Sequence, residues 1–156
     1  MKRSGPRAIA AAMVFAVTAV QAAPSDPAPQ AASCPAKIPA GAHCYNGHDS
    51  AGAPYWIAIP EHWNRVLVMH AHGGPEIEAP TIARSAEDLE RWAVMVKAGY
   101  AWAGSAYRRG GYGVTLAAED VERLRRLFVQ RFGQPRRTLR HGQSYGGGVA
   151  AKAAEI

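Results

Sequence analysis

The chain has 156 residues, 48% of them hydrophobic, and a formal charge of +6, which suits one modest domain and excludes two full-sized ones. Three of its 18 Lys and Arg residues, Lys2, Arg3 and Arg7, fall in the first seven positions, and no basic run is interleaved with aromatics. That pattern argues against a nucleic-acid partner. The two cysteines are too few for a zinc scaffold, although His43 and His48 lie close by.

In chain order, the basic start is followed by an uncharged apolar run over 8–20 and then by Val20-Gln21-Ala22, a small-x-small cleavage pattern. The run is shorter than the roughly 20 residues that span a bilayer. Residues 1–22 are therefore expected to be a signal peptide, leaving a secreted or periplasmic protein with no stable membrane anchor after cleavage. Residues 23–33 are rich in Pro and Ala and read as a flexible lead-in. The folded domain is expected over 34–156, with Cys34 and Cys44 forming a disulfide in an oxidising compartment.

Residues 55–59 and 65–69 are short β-branched and aromatic runs that predict strands. Ser85 reads as the cap of a helix, with Asp88 three residues on and Leu89, Trp92, Ala93 and Val96 at helical spacing until Gly99. A strand over 100–105 and a Gly-rich loop over 107–113 come next. Thr115 reads as the cap of a second helix, with Glu119 and Asp120 in its first turn, the stripe Leu116, Leu124, Leu127, Phe128 and Phe132, and a stop at Gly133 and Pro135. Residues 138–141 predict another strand and Tyr145 opens an Ala/Gly-rich helix. This alternation of strand and helix is the pattern of a parallel sheet with crossover helices.

Two glycine-rich segments carry the chemistry. Gly142-Gln143-Ser144-Tyr145-Gly146 has the G-x-S-x-G form between a strand and a helix, where small flanking residues tolerate the sharp turn that lifts a nucleophilic serine out of the sheet. His72-Gly73-Gly74-Pro75 follows an earlier strand, and its glycines allow backbone N–H groups to approach an oxyanion closely. The expected roles are Ser144 as nucleophile and Gly73, Gly74 and Tyr145 as backbone oxyanion donors. His72 either supports the site or closes a polar turn, and His70 reads as a core histidine. A metal site of His70, His72 and His141 is a third possibility for these rings. Arg108 and Arg109 are either a solvated pair or a carboxylate-binding pair, and Trp92 reads as core. Arg140, in a strand where an aliphatic residue is usual, calls for a carboxylate partner or marks a weakened core.

Taken together, His72-Gly73-Gly74-Pro75, Ala98-Gly99-Tyr100-Ala101, the loop over 107–113 and Gly142–Gly147 resemble successive landmarks of the α/β-hydrolase superfamily. The nearest flavour is the catalytic domain of prolyl oligopeptidase-like serine peptidases. The resemblance runs from about Tyr55 to the C-terminus. It implies an α/β-hydrolase-type, mostly parallel sheet with crossover helices, truncated after the nucleophile elbow. It further implies a small-molecule ester or peptide substrate cleaved through a Ser144 acyl-enzyme, with no cofactor or metal. Members of that peptidase family carry a propeller that residues 23–54 are too few to build, which favours esters. The superfamily order is Ser, then Asp or Glu, then His. All six histidines here precede Ser144, and the 12 residues after it hold neither Asp nor His. The chain is thus expected to be the N-terminal part of a longer enzyme, inactive alone, with residues 138–141 as an exposed edge. The other reading is a non-catalytic secreted binding protein with a hydrolase-like pocket.

Overall fold

The computed structural model describes residues 25–156, so the signal-peptide reading of 1–22 lies outside the described residues. The strands are β1 (Gln30–Ala32), β2 (His43–His48), β3 (Pro54–Ile59), β4 (Val66–Ala71), β5 (Ala101–Ser105) and β6 (Arg137–Gly142). The helices are α1 (Ile82–Arg91), α2 (Ala93–Lys97), α3 (Val114–Phe132) and α4 (Tyr145–Ala153). One six-stranded sheet runs in the order β1-β2-β3-β5-β4-β6. Strands β5, β4 and β6 are parallel to one another, while β1, β2 and β3 extend the sheet in antiparallel fashion. Within the segment read as a flexible lead-in, Gln30–Ala32 pair with Ala32↔Cys44 through Gln30↔Asn46.

Side-chain alternation along β4 decides which helix covers which face. Leu67, Met69 and Ala71 point into the core shared with α3 and α4, whereas Val68 joins Trp56, Trp102, Leu89 and Val96 beneath α1 and α2. The chain leaves β4 over one face through α1 and α2, returns as β5, and then crosses the other face through α3 to reach β6 on the far side of β4. Neighbouring β4 and β6 therefore end at the same sheet edge, with Ala71 opposite Gly142. Ligand crevices of open α/β sheets lie at such points, outside the carboxyl ends of strands whose connections diverge.

Helix starts differ from the sequence reading in two places. Thr81, not Ser85, caps α1, its hydroxyl accepting from the Arg84 N–H. Ser85 is buried inside the helix, where its Oγ accepts from the Trp56 N–H at 3.1 Å and donates to the Gly104 carbonyl at 2.7 Å. The same hydroxyl that reads as a cap is used to bind a helix to two strands. Gly113, not Thr115, precedes α3, and Glu119 and Asp120 lie beyond its first turn, where they pair with Arg108. The helix stops at Gly99 and Gly133 do occur, with φ of 84° and 89° that glycine tolerates.

Cys34 and Cys44 are joined in a disulfide, which ties the chain entry to β2 and stabilises by about 2–3 kcal/mol through the unfolded state. Strand β6 is an edge among the described residues, and Leu139 on it is exposed. Arg140 finds its carboxylate, with Nη2 3.3 Å from Glu122 Oε2.

Candidate active site

The turn between β6 and α4 is sharp and closely packed. Ser144 sits there with φ 55° and ψ −123°, a left-handed conformation that a non-glycine residue holds only when its surroundings enforce it. The enforcing contacts are backbone. A Cβ at Gly142 would run into the Gly146 carbonyl, and one at Gly146 would run into the carbonyls of Ala71 and His72. Both glycines are therefore steric requirements of the turn. Ser144 is exposed, and its hydroxyl makes no capping bond to α4.

The glycine loop after β4 packs straight onto this turn. A Cβ on Gly73 would lie 2.7 Å from the Gln143 carbonyl oxygen, and Gly74 takes φ 77°. The register Ala71↔Gly142 thus brings Gly73 and Gly74 alongside Gln143 and Ser144, as the two motifs require if they are to act together. Tyr145 is the first residue of α4, and the leading N–H groups of a helix have no intrahelical acceptor. A cleft of about 260 Å³ opens between the two segments and α1, lined by Gly73, Gly74, Asp88, Arg91, Trp92 and Ser144 among others. Two clefts of about 530 Å³ lie elsewhere, one around the disulfide loop and one beside residues 75–81, and neither includes Ser144.

His70, His72 and His141 do come close to one another, but around a carboxylate. His72 Nδ1 lies 2.6 Å from Asp88 Oδ2, and His70 Nε2 lies 3.5 Å from the same oxygen. His70 Nδ1 is 3.0 Å from His141 Nδ1, its cross-strand partner. His70 stacks on Trp102 at 5.4 Å, and Trp92 packs edge-on against His141 at 4.4 Å. Burial by itself would raise the Asp88 carboxyl, but the neighbouring imidazoles of His70 and His72, the latter hydrogen-bonded to it, outweigh burial and hold Asp88 well below the usual carboxylate range. Burial, and then the neighbouring His70, push the His141 imidazole below its ordinary value. Among the described residues, no histidine nitrogen is hydrogen-bonded to the Ser144 hydroxyl, and no three His, Cys, Asp or Glu side chains are placed to hold a metal ion.

Arg108 belongs to a brace and not to the cleft. Its Nε donates to Asp120 Oδ1 at 2.7 Å, and Arg123 Nη1 meets the same oxygen at 2.7 Å and Asp49 Oδ2 at 3.1 Å. Arg109 is exposed on the loop. Two residues to which the sequence reading gave no role in the site reach the glycine loop. Asp88, read as part of a helix cap, is one. Tyr107, whose hydroxyl donates to the His72 carbonyl at 2.7 Å, is the other. A carboxylate on the apolar stripe of α1, between Ser85 and Trp92, is the sequence signal that could have found the first.

No protein-family model matches the chain. Over 107 residues it is 30% identical to o-phthalyl amidase of Xanthobacter agilis, a match that covers 67% of this chain and 22% of the relative. Among solved structures it superposes on a hormone-sensitive lipase from a metagenome library with a TM-score of 0.56 and 19% identity, over 76% of this chain and 41% of that one. An esterase of the bacterial hormone-sensitive lipase family gives a TM-score of 0.54 and 20% identity, over 74% and 38%. The chain therefore spans about a fifth of the curated relative and about two fifths of the structures it matches. Across that span the chain has the α/β-hydrolase fold of those structures.

Proposed function

We propose that this chain carries the nucleophile and oxyanion loop of a serine hydrolase acting on an ester or amide bond. The observation that carries the reading is Ser144 itself: exposed, uncapped, held at φ 55° between β6 and α4, and facing the Gly73-Gly74 loop. In this reading Ser144 Oγ attacks the carbonyl carbon while its proton passes to a general base. The N–H groups of Gly73, Gly74 and Tyr145 receive the developing oxyanion. Collapse of the tetrahedral intermediate expels the alcohol or amine with that proton and leaves an acyl-enzyme, which water then hydrolyses.

In the chain order of this fold the orienting carboxylate and the base come after the nucleophile. Among the described residues no imidazole is hydrogen-bonded to Ser144, so the reading calls on a base that closes on it with substrate or lies elsewhere. An ester or small amide fits better than a peptide, because the proteins matched carry esterase, lipase and amidase names. Export fits the disulfide and the leader-like residues 1–22.

The test is hydrolysis of a short-chain p-nitrophenyl ester and of an N-acyl p-nitroanilide by the full-length protein and its Ser144→Ala variant, with fluorophosphonate labelling of both. Loss of labelling, and a fall in turnover of at least about 1000-fold on either substrate, is the expected result. Equal turnover in parent and Ser144→Ala would remove Ser144 as the nucleophile, and no turnover or labelling in the parent would remove the enzyme reading and put a binding protein with a hydrolase-like pocket in its place.

A further inference from the structure

We propose that Asp88 and Tyr107 form a two-sided clamp on His72 that aims the oxyanion loop, making both of them positioning residues. The proposal rests on the reading of Gly73 as an oxyanion donor.

One side of the clamp acts on the peptide plane. The carbonyl of His72 and the N–H of Gly73 belong to a single planar, trans peptide unit and point in opposite directions. Tyr107 donates its hydroxyl to that carbonyl at 2.7 Å. Whatever fixes the direction of the carbonyl therefore fixes the direction of the Gly73 N–H. Tyr107 is 6% exposed, and it takes φ 67°, a conformation that its neighbours must impose. Burial raises its hydroxyl pKa, so it stays protonated and remains a donor.

The other side acts on the imidazole. Asp88 is 5% exposed on the inner face of α1, and it is ionised, so it can only accept hydrogen bonds. His72 therefore carries a proton on Nδ1 and donates it to Asp88 Oδ2 at 2.6 Å. Its Nε2 is buried without a hydrogen-bond partner among the described residues, with Glu76 Oε1 3.6 Å away. His70 faces the same carboxylate through Nε2 and meets His141 through Nδ1, so the network runs back to the strand that leads to Ser144. Burying a carboxylate is costly and a structural position on α1 would be served by an aliphatic residue. What this one does is hold the side chain of the residue next to Gly73, whose carbonyl Tyr107 holds.

The experiment compares Tyr107→Phe, Asp88→Asn and the double variant with the parent, all in the full-length protein, using a p-nitrophenyl ester and a boronic-acid transition-state analogue. Tyr107→Phe deletes a single oxygen and keeps the ring, so it remains informative if Asp88→Asn folds poorly. The clamp predicts a kcat lower by about 10- to 100-fold in each single variant, less than outright loss of an oxyanion donor, with KM within about twofold. Boronate affinity should fall in step with kcat. Activity per folded molecule unchanged within twofold in both variants would overturn the clamp while leaving the enzyme reading intact. A rise in KM with kcat unchanged would overturn it equally, because that is loss of ground-state binding. Failure of the Ser144 hydrolase reading is separately visible as equal turnover in the parent and Ser144→Ala, or as no turnover in the parent.

Discussion

Two aspartates, Asp88 and Asp120, are both buried on helices that cover opposite faces of one sheet, and they are neutralised by different chemistry. Asp120, fully buried on α3, receives Arg108 and Arg123, cations that keep their charge at any ordinary pH. Arg123 also reaches Asp49, which caps the turn before β3 by accepting from the N–H groups of Ala51 and Ala53. Asp88, on α1, receives imidazoles from the strand and loop that lead to the candidate site. A guanidinium partner makes a fixed brace, whereas an imidazole can lose its proton and still donate a hydrogen bond. The difference separates an acid that holds the fold from one that can orient a loop.

The largest expected effect tests the brace. Asp120→Asn leaves two partly buried guanidiniums without their shared counter-charge, and breaking such a pair costs about 3–5 kcal/mol. At roughly 4 °C per kcal/mol the melting temperature should fall by more than about 10 °C. Asp88→Asn should cost less, about 1–3 kcal/mol, because the amide oxygen can still accept from His72 Nδ1 and no guanidinium is left without its counter-charge. Urea unfolding of the two variants side by side makes the measurement. Equal losses would mean that the two clusters do the same structural work, and the contrast between them would collapse.

How much of this was legible beforehand varies with the kind of signal. The parallel half of the sheet was readable because the strands carrying Val66, Val68 and Ala101 are short apolar runs, and because Gly99 and Gly133 stop helices through local backbone geometry. The meeting of Gly73 with the Ser144 turn followed from motif order alone, since both segments close parallel strands. Strand β2 was not readable: His43–His48 has no hydrophobic alternation and gains its place by pairing with β3. Ser85 and Asp88 were misread together because Ser-x-x-Asp before an apolar stripe satisfies the local rule for a helix cap. Only the neighbours across the sheet, Gly104 for one and His72 for the other, reveal what those side chains hold. Tyr107 lay in a loop, where spacing says nothing about what a hydroxyl will reach.

The smallest expected effect concerns the far end of the imidazole chain. His141 has a folded-state pKa below the ordinary histidine value, by burial first and the neighbouring His70 second. The unfolded chain therefore binds this proton near pH 6.5 while the folded chain resists it. Wherever the unfolded state binds more protons, stability rises with pH. The contribution of His141 is thus a loss of stability as pH falls through about 6.5, levelling off once the folded-state value is passed. His141→Gln keeps a group able to hydrogen-bond His70 and removes the titration, so the urea midpoint should fall less between pH 7.5 and 5.5 than in the parent. Parallel curves would place His141 outside the coupled network, and Asp88 would then act on the glycine loop without a link to the strand that ends in Ser144.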